Sequence, residues 1–300
     1  MTTTTMLLPR EVNLVKVPPI KCQGIKTKLV PFIFENISWN GLGRWVEPFL
    51  GSGVVLFNLS PKKALAADGN SHIISFYKGI QEKRITAPEV RLFLQKEGSI
   101  LEQRGQEYYY EVRDRFNSHH DPLDLLFLSR ACFNGVMRFN KKGGFNVPFN
   151  HKTGRFRKAY ITKIVNQVKW VSETINGKDW EFVCSDWRDT FKACKEGDFA
   201  YLDPPYFGRD TGYLGIWSSQ DMSEFVSAVK LLPCGYALSL WKKNIYRTNT
   251  QIDENFSNHV IRLFSHDYFV GATESLRHEI EEALIIKPNF AAKSLQIMKS

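Results

Sequence analysis

The order of short segments between residues 44 and 80 constrains the fold of this chain most. Residues 44–49 have the pattern of a strand that ends at a glycine turn, and residues 54–59 begin a helix. A second strand follows at 64–68 and a second helix at 73–80. Because strand, helix and strand in this order form a right-handed crossover unit, the pattern predicts a parallel sheet with helices on its faces.

Two boundaries divide this α/β pattern. It stops near residue 86 and resumes near residue 181, and the interval holds helical segments and a polar section at 133–156. We therefore predict one discontinuous α/β domain at 11–85 and 181–290, interrupted by a mainly helical module at 86–180. Residues 1–10 are predicted to form a disordered tail and residues 291–300 a second tail. In the second part, strands are predicted at 199–203, 236–240, 260–264 and 283–286, and a helix at 222–232.

The composition is that of an ordinary globular protein, with 43% apolar and 24% charged residues. A signal-peptide pattern and a run of membrane-spanning length are both missing from the sequence, so we expect a soluble cytoplasmic protein with no membrane partner. The formal net charge of +9 favours a polyanionic partner such as nucleic acid. The five cysteines are scattered without metal-ligand spacing, so we expect reduced, largely buried thiols and no metal site.

A glycine turn follows the first predicted strand, in the stretch from Glu47 to Gly53. Gly51 and Gly53 allow the backbone to approach a ligand closely because neither carries a Cβ atom. Asp68 ends the next strand, where a carboxylate is placed to accept hydrogen bonds from ribose hydroxyls. The order of strand, Gly-x-Gly, helix, strand and aspartate predicts a nucleoside ligand, and the alternative is a tight turn with a helix cap.

The motif Asp203-Pro204-Pro205-Tyr206 follows a later predicted strand. Methylation of an exocyclic amine requires its lone pair to be withdrawn from the base ring, and two acceptors aimed at the two N–H bonds achieve this. The Asp203 carboxylate and the Pro204 carbonyl are suited to that role, and the two prolines fix the turn. Tyr206 offers a ring on which an extruded base stacks. A strand that merely ends in a proline turn is the alternative.

Basic and aromatic residues alternate between Phe133 and Phe149. Arg138 has the chemistry to bind a guanine edge, and Asn134 to hydrogen-bond with bases or insert between them. A solvated basic loop is the alternative. Cationic residues suited to phosphate contacts are Lys141, Lys142, Arg155, Arg157 and Lys158.

Two further patterns suggest other chemistry. Pro233-Cys234 resembles the nucleophile of cytosine-C5 methylation, but its place at the start of an apolar strand indicates a packing role for Cys234. His266 and Asp267 suggest acid–base work, and we interpret them as a polar surface pair before an edge strand.

Taken together, these motifs resemble the Dam family of DNA adenine-N6 methyltransferases, and within it the EcoRV-type modification methyltransferases. The resemblance covers about residues 16–287. It rests on Lys-Cys-Gln-Gly-Ile-Lys at 21–26, Phe-Leu-Gly-Ser-Gly at 49–53, Asp68, Lys-Gly-Gly-Phe-Asn-Val-Pro-Phe at 142–149 and the Asp-Pro-Pro-Tyr motif.

The resemblance implies an S-adenosylmethionine-dependent methyltransferase with a Rossmann-like, mostly parallel sheet and one late antiparallel strand. It needs no metal, and the module at 86–180 becomes the target-recognition insert. The family has an aromatic residue where Cys22 stands and a second glycine where Ile25 stands. The residues implied to line the cofactor are Cys22, Lys26, Phe49, Gly51, Gly53, Asp68, Asp186, Trp187 and Asp203.

The resemblance also implies duplex DNA as the partner, in a site that begins with guanine, adenine and thymine. The EcoRV likeness points to GATATC, and GATC remains open. We expect a monomer, with a cognate restriction endonuclease as a functional rather than physical partner, and regulatory methylation is equally compatible with the chemistry. The residues implied to contact or separate target bases are Lys21, Asn134, Val136, Arg138 and Pro148.

Other functions stay open at this point. Cytosine-N4 or RNA adenine methylation uses the same chemistry, and a DNA-binding protein that has lost catalysis keeps the same surface. A nicotinamide-dependent oxidoreductase uses a similar glycine turn. It would leave Asp-Pro-Pro-Tyr unexplained.

Overall fold

A computed structural model of the protein describes residues 7–140, 142–205, 218–243, 248–269 and 277–293. The strands in these ranges are β1 Trp45–Glu47, β2 Lys63–Asp68, β3 Asp179–Cys184, β4 Phe199–Leu202, β5 Gly235–Lys243, β6 Val260–Phe269 and β7 Arg277–Ile286. The helices there are α1 Val30–Asn36, α2 Val54–Leu59, α3 Ser71–Gln81, α4 Ala87–Arg104, α5 Gln106–His119, α6 Pro122–Ala131, α7 Lys158–Ile175, α8 Trp187–Lys192, α9 Ser219–Lys230 and α10 Gln251–Phe256.

The seven strands form one sheet in the order β3-β2-β1-β4-β5-β7-β6. From β3 to β5 each strand runs parallel to its neighbours. β7 is antiparallel to both β5 and β6. The predicted α/β fold, with a mostly parallel Rossmann-like sheet and a late antiparallel strand, is therefore confirmed.

The centre of the sheet is buried on both faces. In β4, Phe199 and Tyr201 pack into one apolar cluster, together with residues of α1, α2, α3 and α7. Ala200 and Leu202 point the other way, into a second cluster with residues of α8, α9 and α10. This alternation follows from the two-residue repeat of a strand, and it explains why a central strand is apolar at every position.

Helices α4 to α7 lie between α3 and β3, in the segment predicted as the insert. Thr86 and Glu89 form a capping box that begins α4. Arg115 of α5 ties three helices together, since its guanidinium lies 2.7 Å from Glu97 Oε2 of α4 and also pairs with Asp124 of α6. The apolar face of this segment belongs to the same core cluster as α1 to α3.

Several local features differ from the predictions. Residues 7–10 are not part of a disordered tail, because Leu8 is fully buried and its backbone nitrogen donates to Trp39 at 3.1 Å. Ala291, in the second predicted tail, pairs with Ile37. Helices α7, α8 and α10 are not among the predicted ones. Across the described ranges, every helix is too short or too polar to cross a membrane.

Candidate active site

Three neighbouring parallel strands bring the predicted site residues to one edge of the sheet. β1 lies between β2 and β4, with Glu47 opposite Ala66 and Val46 opposite Ala200. The glycine turn follows β1, Asp68 ends β2 and Asp203 follows β4. The carboxyl edge of such a sheet is where α/β proteins bind their ligands.

A carboxylate fixes the glycine turn. Asp68 Oδ2 accepts a hydrogen bond from the Gly51 nitrogen at 2.8 Å, and Oδ1 accepts one from the Asn70 nitrogen at 2.8 Å. Each oxygen keeps a second lone pair for another donor. Burial raises the pKa of Asp68 to about 6, although both backbone hydrogen bonds oppose the rise. The side chain is therefore an anchored acceptor beside the turn.

The turn depends on both glycines. Gly51 has φ of +51° and Gly53 has φ of +69°, in the left-handed region that side chains disfavour. A Cβ atom on Gly53 would lie 2.5 Å from the Phe57 ring, whereas one on Gly51 would lie 3.9 Å from Cys22 Cβ. Cys22, which stands where the family has an aromatic residue, is therefore next to Gly51 and adjoins the glycine turn.

Asp203 is paired with a buried lysine. Lys26 Nζ lies 2.9 Å from Asp203 Oδ1, and the two side chains are 5% and 22% exposed. Lys26 Nζ also donates to the Gly24 carbonyl at 3.1 Å. Burial raises the pKa of Asp203 to about 6, Lys26 opposes the rise, and Glu282 adds to it. The carboxylate thus stays ionised at neutral pH while remaining a stronger base than an exposed aspartate.

Further carboxylates lie close to this pair and were not predicted from the sequence. Glu282 Oε2 is 3.8 Å from Lys26 Nζ, and His266 Nε2 is 3.2 Å from Glu282 Oε1. The interpretation of His266 as a surface residue is wrong, because its side chain is only 11% exposed. Glu47 accepts a hydrogen bond from Trp45 Nε1 at 2.7 Å, and burial raises its pKa to about 8. These residues come from distant segments, so sequence spacing carries no signal for their proximity.

The two prolines of the Asp-Pro-Pro-Tyr motif follow Asp203 at the carboxyl edge of the sheet. Pro204 is buried and Pro205 is half-buried, and Tyr206 lies outside the described residues. Cys234, the alternative nucleophile, is 2% exposed within the second apolar cluster, which agrees with its predicted packing role.

The remaining predicted cofactor residues lie around the second apolar cluster. Phe49 packs edge-on against Phe225, with the ring centroids 5.8 Å apart. The Trp187 indole also packs against Phe225, at 5.2 Å, and is 6% exposed, so most of its surface is used by the core. Asp186 is exposed and caps α8 through the Arg188 nitrogen at 2.8 Å.

Four of the five predicted base-contacting residues lie on the loop between α6 and α7, and Lys21 packs against the same loop. A Cβ on Gly135 would be 3.0 Å from Lys21 Cδ, so Lys21 lies against this loop. Asn134 is exposed and has φ of 54°, and the Pro148 carbonyl accepts from the Phe133 nitrogen at 2.8 Å. Arg138 Nε donates to Asn146 Oδ1 at 2.9 Å, which orients the guanidinium. The half-buried Val136 sits in the same loop. Lys141 lies outside the described residues.

A basic groove of about 740 Å³ opens beside α7. Arg155 borders it and is held by the Arg130 carbonyl at 2.9 Å and by the Tyr160 hydroxyl at 3.1 Å. Of the predicted phosphate-binding residues, Arg155 and Arg157 line this groove, and Lys158 begins α7 at its side. Its cationic lining consists of Lys152, Arg155, Arg157 and Lys163, with His151.

The family model of D12 class N6 adenine-specific DNA methyltransferases matches residues 23–227. The chain belongs to this family. The type II methyltransferase M.MjaIII of Methanocaldococcus jannaschii is 33% identical to it over 205 residues, which cover 63% of this chain and 68% of that protein. The DNA adenine methylase of Vibrio cholerae serotype O1 (strain El Tor Inaba N16961) is 33% identical over 165 residues, 54% of this chain and 55% of that protein.

A third relative, the DNA adenine methylase of Escherichia coli K12, is 31% identical over 165 residues, 54% of this chain and 55% of that protein. The chain spans about half to two thirds of the length of these curated relatives. The match from 23 to 227 includes the glycine turn, Asp68 and the Asp-Pro-Pro-Tyr motif. In this member of the D12 class, the turn and the motif lie at the ends of adjacent strands.

Proposed function

We propose that this protein transfers a methyl group from S-adenosylmethionine to the N6 amine of adenine in duplex DNA. The observation that carries the proposal is the Asp203 carboxylate, held 2.9 Å from Lys26 at the end of β4. The glycine turn and Asp68 lie at the ends of the next two strands. Membership of the D12 class supports the same reaction.

Asp203 and Pro204 act on the amine. The Asp203 carboxylate accepts one N–H of adenine and the Pro204 carbonyl accepts the other, which localises the nitrogen lone pair for attack. Lys26 lowers the pKa of Asp203. Because the resulting pKa of Asp203, about 6, lies below neutral pH, the carboxylate is ionised. The proton leaves to solvent after transfer. Pro205 fixes the turn, and Tyr206 supplies the ring on which the extruded adenine stacks.

The residues at the sheet edge fit the cofactor. Asp68 retains acceptor capacity for two ribose hydroxyls, and Gly51 leaves the turn open because it has no Cβ atom. When bound, S-adenosylmethionine supplies an activated methyl group, so the transfer requires neither a metal nor an enzyme nucleophile. The residues proposed to line it are Cys22, Lys26, Phe49, Gly51, Gly53, Asp68, Asp186, Trp187 and Asp203.

The segment at 86–180 is proposed to bind the target DNA. Arg138 reads a guanine edge, and Lys21, Asn134, Val136 and Pro148 contact or separate neighbouring bases. The basic groove beside α7 binds backbone phosphates, which position the duplex without specifying its sequence. We propose a target that begins with GAT, either GATATC or GATC.

The proposal extends to the oligomeric state of the protein and to its role in the cell. The protein acts as a monomer on intracellular DNA, because one methylation event uses one active site. A restriction endonuclease of the same specificity is its functional partner, and methylation protects the shared site.

Labelled methyl transfer to unmodified duplex DNA tests the proposed function. The purified protein is incubated with labelled S-adenosylmethionine and either DNA or RNA, and the product is digested to nucleosides. The proposal expects label in N6-methyldeoxyadenosine, and position-resolved sequencing then gives the flanking bases. Label in N4-methyldeoxycytidine or only in RNA would replace this function with a related one. DNA binding without any label would indicate a protein that no longer catalyses.

A further inference from the structure

The antiparallel strands β6 and β7 bring two ionisable side chains to the Lys26–Asp203 pair. We propose that Glu282, held by His266, is a positioning residue that shares the Lys26 ammonium with Asp203 and thereby controls Asp203 as an acceptor. This inference rests on the proposed function, since it assigns a role to residues around the proposed catalytic carboxylate.

The register of the sheet places the two residues together. Glu282 of β7 is opposite Phe264 of β6, and His266 is opposite Ile280, so the two side chains are diagonal neighbours on one face. Glu282 also faces Trp241 of β5 across the other side of β7. Its side chain is 7% exposed and contacts Lys26 at 3.8 Å and His266 at 3.2 Å.

The position of Glu282 would be apolar in an ordinary strand. Leu284 and Ile286 share its face of β7, and both belong to the first apolar cluster. A carboxylate there loses hydration, and burial of a charge is tolerated only when partners compensate it. Lys26 and His266 are those partners. The Glu282 carboxylate therefore does not contribute to apolar packing as its neighbours do, and it interacts with the Lys26 ammonium instead.

Four ionisable groups interact with Asp203, and a fifth, His266, contacts one of them. Lys26 precedes α1, Glu47 is on β1, Tyr201 on β4, His266 on β6 and Glu282 on β7. Burial raises the pKa of Glu47 to about 8 and the pKa of Tyr201 well above its ordinary value, so both are neutral at pH 7.

The charges that act on Asp203 are therefore those of Lys26 and Glu282, and His266 acts through its contact with Glu282. Lys26 lowers the pKa of Asp203, and Glu282 raises it. A carboxylate with a higher pKa is a stronger hydrogen-bond acceptor for the adenine amine, as long as it remains ionised. Glu282 opposes the effect of Lys26 and keeps Asp203 a strong acceptor for the hydrogen bond from the adenine amine.

The test replaces Glu282 by glutamine, which keeps the shape of the side chain and removes its charge. Glu281→Gln is the matched control, because Glu281 is the preceding residue of the same strand and points to the other face. We measure the pKa of Asp203 by carbon NMR of its side-chain carboxyl, assigned with Asp203→Asn. We also measure kcat and KM for methyl transfer across pH 5 to 9.

Glu282→Gln is expected to lower the pKa of Asp203 and to move the acid limb of kcat to lower pH. The plateau of kcat should fall about threefold to tenfold with KM for the cofactor nearly unchanged, because a weaker base activates the amine less. Glu281→Gln should leave all three quantities as in the wild type. If the glutamine variant does not fold, Glu282→Met removes the same charge at similar volume, and it should fold because Lys26 keeps Asp203 as its partner.

Equal Asp203 pKa values in Glu282→Gln and Glu281→Gln, with superimposable pH profiles, would overturn the inference. A purely structural role would lower the melting temperature without moving either the pKa or the acid limb. Failure of the wild type to methylate DNA would count against the proposed function instead. The NMR titration of Asp203 would still decide whether Glu282 acts on it.

Discussion

At the scale of single residues, the candidate site is defined by carboxylates in unlike surroundings. Asp68 is held by two backbone nitrogens, Asp203 by Lys26, and Glu47 by a tryptophan N–H. Within the described part of the chain, Asp203 is the one of these three carboxylates that forms an ion pair, with Lys26 at 2.9 Å. It is therefore the carboxylate suited to stay charged, whereas Glu47 is the one suited to stay neutral.

Glu47 leads to a prediction about stability and pH. Burial raises its pKa from 4.5 to about 8. A group whose pKa is raised on folding costs stability as the pH rises through the interval between these values. Glu47→Gln should therefore increase the free energy of unfolding by roughly 2–4 kcal/mol at pH 8 and by less than about 1 kcal/mol at pH 5.

Urea denaturation at the two pH values measures this difference. Glu181→Gln, at an exposed position of β3, serves as the control and should give a much smaller difference between the two pH values, because its side chain is not buried. An equal effect of Glu47→Gln at pH 5 and pH 8 would contradict a protonated, buried Glu47.

At the scale of secondary-structure elements, the turn between β1 and α2 sets the geometry of the proposed cofactor site. Gly53 has φ of +69°, and an added Cβ would lie 2.5 Å from the Phe57 ring. Gly177, after α7, has φ of +71° with no atom within 4 Å of such a Cβ. An alanine would therefore meet similar backbone strain at both positions, but only at position 53 would it also clash with a neighbouring side chain.

Gly53→Ala should destabilise the protein by about 2–4 kcal/mol and abolish cofactor binding, because the turn and α2 must both move. Gly177→Ala should cost only about 1 kcal/mol and leave binding unchanged. Urea denaturation and calorimetric titration with S-adenosylmethionine provide the two readouts. Equal destabilisation by both substitutions would show that the contact with Phe57 does not affect the free energy of unfolding.

The loop after α6 carries a prediction about sequence recognition. Arg138 is oriented by Asn146, and Lys142 is exposed on the same loop. Arg138→Ala should weaken binding to the preferred site by about 1–3 kcal/mol and relax the choice of one base. Lys142→Ala should weaken binding to all sequences equally. Binding isotherms on a set of single-base variants separate the two patterns, and uniform weakening by Arg138→Ala would refute a base-reading role.

The elements themselves were only partly predictable. The sequence from residue 44 to 81 predicts β1, α2, β2 and α3, because each has a clear apolar pattern and a turn at its end. Helix α7 is absent from the prediction, although its buried residues from Ile161 to Ile175 all lie on one helical face. Valine and isoleucine dominate that face, and their weak helix propensity conceals a pattern that packing determines.

At the scale of the whole molecule, the site joins segments that are far apart in sequence. The motifs at Gly51, Asp68 and Asp203 were found because each has a local signature after a strand. Glu282 was not found and His266 was interpreted as a surface residue, because their proximity to Lys26 depends on the order of β5, β7 and β6 in the sheet. Long-range strand pairing cannot be derived from local patterns, so the polar residues it brings together remained unassigned.

The net charge of +9 predicts that DNA binding depends strongly on salt concentration. DNA affinity should fall linearly with the logarithm of salt concentration, since bound cationic residues displace counterions. Arg157→Ala and Lys163→Ala, in the basic groove, should each reduce the magnitude of this slope by about one. Lys169→Ala is the control, because Lys169 is on α7 outside the groove lining and pairs with Glu173. Unchanged slopes for both groove variants would remove the groove from the DNA interface.

The central claim is that the Asp203 carboxylate activates the adenine amine. Its most direct test compares methyl transfer to duplex DNA by the wild type and by Asp203→Ala, with DNA binding measured in parallel. Asp179→Ala, at the exposed start of β3, controls for the loss of a carboxylate elsewhere. We predict that Asp203→Ala lowers kcat by at least about a thousandfold and leaves DNA affinity largely intact. Wild-type activity in Asp203→Ala would contradict the account.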